Sequence, residues 1–114
     1  LDEISLMGKT SIAEIRKKRI KYYDISPEDF GLKRCSLQDI AGGPPDFNAQ
    51  VIRDIFSGAE QGPRRDFLVL NNGTTLYVSG RVSSIAEGIE MSRSLIDSGK
   101  ARRKLEELVE RSHA

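Results

Sequence analysis

The chain has 114 residues, enough for one domain with a modest core. Its 18 Lys and Arg stand against 17 Asp and Glu, a net charge of +1, which argues against a global basic field for nucleic acid and against an acidic solvating tail. Hydrophobic residues at 38% and charged residues at 31% describe a soluble globular protein, and no apolar run approaches the roughly 20 residues of a bilayer span.

The first five residues read Leu1-Asp2-Glu3-Ile4-Ser5. Two adjacent carboxylates repel, and a hard divalent cation with oxygen ligands can offset that repulsion. An Asp-Glu pair alone is a weak signal, and the ordinary reading is a solvated strand end or loop. The chain opens on Leu inside a stretch that reads as ordered, whereas termini are more often polar and frayed; the expectation is a fragment. No signal-peptide pattern is present. The single Cys35 excludes an intrachain disulfide and fits a reducing, cytoplasmic setting, and with only His113 beside it a Cys/His zinc site is ruled out.

Thr10 to Ile15 and Ile20 to Ile25 are two short β-rich runs around Arg16-Lys17-Lys18-Arg19, which predicts a hairpin lacking an Asn-Gly turn signal. Ile20 and Tyr22 fall on an apolar face, and the basic run is read as a solvated hairpin tip rather than a phosphate patch. Ser26-Pro27-Glu28-Asp29-Phe30-Gly31 predicts a one-turn helix with Ser26 as N-cap, Pro27 at N1 and Gly31 ending it. Ser36 to Ile40 repeats that logic, with Asp39 at N3 and Gly42-Gly43 closing it. Gly-Gly-Pro-Pro lacks the following Lys-Ser/Thr and the preceding strand of a phosphate loop, so it is a connector, with Pro44-Pro45 extended. A helix follows from Asp46 to about Phe56, with Val51, Ile52, Ile55 and Phe56 as its stripe and Gly58 its stop.

Gly62-Pro63-Arg64-Arg65-Asp66 is a helix start. Phe67 to Val78 is ambiguous: it reads as two β-rich runs about Asn72-Gly73, or as a buried helix with Phe67, Leu70, Thr74, Tyr77 and Val78 on one face. Local propensity favours the hairpin, because Gly73 and two Thr residues disfavour helix. Ser84-Ile85-Ala86-Glu87 is a capping box opening a helix with Ile85, Ile89, Ser92 and Ile96 near one face, up to Ser98-Gly99. A last helix, Lys100 to Arg111, carries Leu105, Leu108 and Val109. From the residues alone this is a helix-rich α/β piece without a Ser/His/Asp set, a nucleophile–base pair or a G-x-G-x-x-G loop.

The ordered set Leu1-Asp2-Glu3-Ile4-Ser5, Pro27-Glu28-Asp29-Phe30-Gly31-Leu32, Gly62-Pro63-Arg64-Arg65-Asp66, Leu70-Asn71, Tyr77-Val78-Ser79-Gly80, Glu87-Gly88 and Ile96-Asp97-Ser98-Gly99-Lys100-Ala101 resembles the C-terminal third of the anthranilate phosphoribosyltransferases. The resemblance covers essentially the whole chain. It implies an α/β fold, the C-terminal part of a nucleoside phosphorylase/phosphoribosyltransferase-type catalytic domain, helix-rich with a short β-hairpin, and a helix over Phe67 to Val78. It implies that Asp2 and Glu3 bind the Mg²⁺ associated with phosphoribosyl pyrophosphate, with anthranilate as the second substrate and a homodimer when intact. The family's Gly-Thr-Gly-Gly-Asp loop, Lys-His-Gly-Asn segment, anthranilate-contacting Arg and N-terminal helical domain have no counterpart here. Residues 1–114 are therefore expected to be a single partial domain, inactive alone and with no catalytic residue assigned. Asn72-Gly73-Thr74-Thr75 also departs from the Ala-rich stretch of typical members. The alternative is a non-catalytic module of the same fold that binds protein or nucleic acid.

Overall fold

The computed structural model describes residues 1–113. Two strands come first, β1 (Thr10–Arg16) and β2 (Arg19–Ile25), followed by a 3₁₀ turn (Pro27–Phe30). Five helices complete the chain: α1 (Leu37–Ile40), α2 (Pro45–Ser57), α3 (Pro63–Val78), α4 (Ile85–Asp97) and α5 (Lys100–Ser112). This is the helix-rich piece with a short hairpin that the resemblance implied.

The stretch from Phe67 to Val78 lies wholly within α3, so the hairpin favoured by local propensity does not form. The reason is tertiary. Gly73 is buried, and a Cβ built on it would stand 2.6 Å from the Ile89 backbone nitrogen. A Cβ on Gly88 would run into the Gly73 carbonyl. The two glycines thus let the backbones of α3 and α4 touch, and Gly in mid-helix, which costs about 1 kcal/mol relative to Ala, is kept for that approach. The polar residues around it are satisfied. The Thr74 hydroxyl donates to the Leu70 carbonyl at 2.9 Å and that of Thr75 to the Asn71 carbonyl at 3.1 Å. Asn72 Nδ2 donates to Ser92 Oγ at 2.8 Å, and buried Ser92 donates in turn to the Gly88 carbonyl at 2.9 Å.

Around this crossing the core gathers Leu6, Ile25, Leu32, Ile55, Val69, Leu70, Ile85, Ile89 and Ile96. The α2 stripe contributes unevenly: Ile55 is buried, Val51 and Phe56 are half-buried, and Ile52 is exposed. None of the α5 side chains is fully buried, and Leu108 is exposed.

The hairpin is antiparallel with Ile12 opposite Tyr23 and Arg16 opposite Arg19. Its turn is Lys17-Lys18, with φ of 50° and 63°. A two-residue turn of that hand matches the strand twist and usually takes Asn-Gly, so no sequence signal announced it. Ile12 and Tyr23 pack on the core. Ile15, Ile20 and Tyr22 stand on the outer face, 74%, 56% and 76% exposed, so the face carrying Ile20 and Tyr22 looks outward.

The caps follow the sequence with two adjustments. Asp29 and Asp39 accept from the backbone N–H of Ser26 and Ser36, at 2.8 and 2.7 Å. Pro45 is already the first residue of α2, so only Pro44 remains in the extended link. At α4, Ser84 Oγ accepts from the Glu87 N–H at 3.1 Å, but the Glu87 carboxylate accepts from Ser83 rather than from Ser84. The box is therefore half of the reciprocal pair expected.

Two outcomes follow from this packing. Gly73→Ala or Gly88→Ala should each destabilise the chain by about 1–3 kcal/mol or more, since backbone stands where the methyl would go; an unchanged urea midpoint would contradict the crossing. Ser84→Ala should cost roughly 0.5–2 kcal/mol, and an unchanged midpoint would show that α4 starts elsewhere.

Candidate functional site

The segment leading into the hairpin is fixed at three points. Leu6 is fully buried, and its carbonyl accepts from the Cys35 N–H at 3.3 Å. The Ser5 N–H donates to Thr10 Oγ1 at 3.2 Å. Ile4 is held by Asn71 of α3: its N–H donates to Asn71 Oδ1 at 2.8 Å, and Asn71 Nδ2 donates to its carbonyl at 3.0 Å. The same Nδ2 also donates to the Phe67 carbonyl of α3 at 3.1 Å.

Asp2 and Glu3 precede this anchor, and both are exposed. Neither takes part in an ion pair among the described residues. No group of three or more His, Cys, Asp or Glu that could hold a metal occurs among the described residues. Two adjacent exposed carboxylates supply hard oxygen donors without enough ligands for an all-protein cage. That donor set fits Mg²⁺, which is commonly held by one or two carboxylates while substrate phosphates and water complete its shell.

Glu3 also borders a cavity of about 400 Å³ with Asn71, Arg64, Asn48, Ile55 and Phe67. Its rim is fixed by polar contacts from α2 and α3. Asn48 Oδ1 accepts from the Gly43 N–H at 2.9 Å, its Nδ2 donates to the Gly43 carbonyl at 2.8 Å, and Arg64 Nη2 donates to the Ala41 carbonyl at 3.0 Å. Gly42-Gly43 is thus a braced connector between α1 and α2, as the sequence suggested.

Beyond Asn71, a second polar contact ties the hairpin to α3. The Glu14 carboxylate accepts from Tyr23 OH at 2.7 Å and from Tyr77 OH at 2.8 Å. The Arg16 guanidinium lies 5.4 Å from the Tyr77 ring centroid. The hydrogen bonds from Tyr23 and then Tyr77 hold the Glu14 carboxyl below its ordinary value. Burial, and then the bond to Glu14, push Tyr23 up to about 12. Burial also raises the Cys35 thiol, which makes it a poor nucleophile at neutral pH.

Sequence reasoning found the carboxylate pair, and the structure leaves it exposed on a fixed segment. It missed Asn71 and Tyr77 as side chains with a task, naming Asn71 only within a motif and Tyr77 there and on the face of a candidate helix. A polar residue mid-helix beside apolar Leu70 was the available signal for Asn71.

The chain matches the family described as Glycosyl transferase family, a/b domain, over residues 1–102. It is 46% identical over 110 residues to the anthranilate phosphoribosyltransferase of Methanobrevibacter smithii, covering 96% of this chain and 32% of that protein. The crystal structure of anthranilate phosphoribosyltransferase from Thermus thermophilus superposes with a TM-score of 0.89 at 34% identity, covering 100% of this chain and 33% of that one. The Saccharomyces cerevisiae enzyme in complex with PRPP and Mg superposes with a TM-score of 0.76 at 28% identity, covering 92% and 29%. The resemblance drawn from the motifs is borne out, and the chain spans about a third of the length of the relatives it matches.

The Glu14–Tyr pair carries a pH signature. A lowered Glu14 stabilises the fold above the ordinary carboxylate range, and that contribution is lost as pH falls through its folded value. A raised Tyr23 contributes fully below about 10, and its contribution is lost as pH rises from 10 to about 12. Ultraviolet titration should find a tyrosine ionising near 12 that moves down in Glu14→Gln; three tyrosines ionising at the ordinary value would contradict the network.

Proposed function

The chain belongs to the glycosyl transferase family, a/b domain, and on that premise we propose that it is the portion of an anthranilate phosphoribosyltransferase that carries the metal-binding carboxylates. The whole enzyme transfers the phosphoribosyl group of phosphoribosyl pyrophosphate to the amine of anthranilate. In that reaction the nitrogen bonds to the ribose C1 as the C1–O bond to pyrophosphate breaks. The observation that carries the reading is the Asp2–Glu3 pair. It is exposed and ahead of an anchored residue, in a chain 46% identical to such an enzyme.

In this reading Asp2 and Glu3 hold Mg²⁺. When bound, the ion offsets the charge that develops on the departing pyrophosphate. The chain's own task is positioning: Leu6 and Ile4 fix the segment, and the carboxylates form no ion pair among the described residues. Such a transfer asks little covalent work of the protein beyond positioning and electrostatics. Phosphate and anthranilate recognition come from further length, carrying the Gly-Thr-Gly-Gly-Asp loop and the Lys-His-Gly-Asn segment. The whole is a cytoplasmic homodimer. No helix among the described residues is long and apolar enough to cross a membrane.

The test joins the chain, by mixing or fusion, to the complementary upstream part of such an enzyme and assays formation of N-(5-phosphoribosyl)anthranilate. The joined protein should be active and the chain alone inactive. Asp2→Ala or Glu3→Ala should lower turnover on the order of a hundredfold, as expected when a group stabilising a developing anion is removed, and should weaken the Mg²⁺-dependent binding of the donor. Unaltered kinetics in both variants across a Mg²⁺ titration would overturn the assignment, as would activity from the chain alone.

A further inference from the structure

We propose that Asn71 is the positioning residue for the Asp2–Glu3 carboxylates, acting through the peptide that joins Glu3 to Ile4. The inference rests on the metal reading of that pair. Asn71 is the only side chain that hydrogen-bonds to Ile4 among the described residues, and it engages both polar groups of that residue's backbone. The partners lie 67 positions apart in sequence, so the contact is a tertiary one. The geometry is that of a strand pairing made by an amide side chain: one acceptor and one donor, matched to the N–H and carbonyl of a single residue.

The consequence for Glu3 follows from planarity. The Ile4 N–H belongs to the same rigid peptide unit as the Glu3 carbonyl. Fixing that N–H against Asn71 Oδ1 fixes the plane in which the Glu3 backbone ends and the place of the Glu3 Cα, leaving rotation about the Glu3 Cα–C bond as the one backbone freedom between that plane and the Glu3 side chain. The second bond, to the Ile4 carbonyl, prevents the segment from pivoting about the first. The third, from Nδ2 to the Phe67 carbonyl, ties the amide to its own helix. Asn71 therefore has its orientation set by α3 and passes it on to the segment.

No other residue type does this equally well. Asp at this place would accept from the Ile4 N–H but could not donate to either carbonyl, and it would add a charge near Glu3. Gln would carry the amide one methylene too far, and Ala would leave the Ile4 N–H and carbonyl unpartnered. Outer partners that orient metal-binding side chains commonly matter by 10–100-fold in affinity. Neighbouring Asn72 faces α4 through Ser92 and serves as a structural control on the same turn.

The experiment uses the 114-residue chain with Mn²⁺ as the probe, read by NMR. In the wild-type chain the Glu3 and Ile4 amides should be ordered, with order parameters of about 0.85. Substoichiometric Mn²⁺ should selectively broaden the Asp2 to Ile4 signals. In Asn71→Ala the Ile4 amide order parameter should fall below about 0.6, and the Mn²⁺ concentration for half-broadening should rise about tenfold. Asn72→Ala should leave both readings at wild-type values. Should Asn71→Ala fail to fold, the wild-type order parameters still decide: a mobile Ile4 amide beside an ordered core would overturn the proposal. Unchanged order and broadening in a folded Asn71→Ala would overturn it as well. Absence of Mn²⁺ broadening in a wild-type chain with an ordered Ile4 amide would instead overturn the metal reading on which it rests.

Discussion

The rest of the structure depends on the contact between Gly73 and Gly88. There the backbones of α3 and α4 meet with no room for a side chain on either. Val69, Leu70, Ile85, Ile89 and Ile96 close around that point, so the crossing and the apolar core are one feature. The hydrogen bond from Asn72 of α3 to Ser92 of α4 lies beside it, and Ser92 donates in turn to the Gly88 carbonyl of its own helix. Burial supplies the driving force, and the glycines fix the geometry.

With α3 held in this way, its remaining polar side chains become fixed points for the segment and hairpin that precede it. Asn71 grips Ile4, and Tyr77 grips Glu14. They are six residues apart, about 9 Å along the helix axis. The first contact orients the segment that carries Asp2 and Glu3, and the second seats the hairpin, whose inner face adds Ile12, Tyr23 and Ile25 to the core. The carboxylates are thus exposed on a braced segment. A phosphate-bridged cation needs that combination of open donors on a supported backbone.

Much of this was legible in the residues. The caps at Ser26, Ser36 and Ser84, the proline start of α3, and the apolar stripes of α2 and α4 are local signals, and local signals placed those elements, with Pro45 assigned to the link although it begins α2. Gly73 shows where local reasoning stops. Its propensity cost falls within α3, but the compensating approach is made by α4, fifteen residues further on, so nothing beside Gly73 in the sequence explains it. Lys17 and Lys18 take a left-handed turn with no residue to announce it, because the paired strands impose the hand. The period of β2 was readable, but which face looks inward was not, and Ile20 and Tyr22 turned outward. In the candidate site, adjacent carboxylates are visible as letters. The amide that holds the adjoining Ile4 is 67 positions from it, and only the fold brings it there.

The α3–α4 crossing is a single cooperative unit from which the rest is hung, and native-state hydrogen exchange tests that most directly. The amides of Val69 to Thr75 and of Gly88 to Ser92 should open together, at the free energy of global unfolding, while hairpin-tip and α5 amides open at lower values. If either helix instead opened on its own well below global unfolding, with the other still protected, the glycine crossing would not be what the structure depends on.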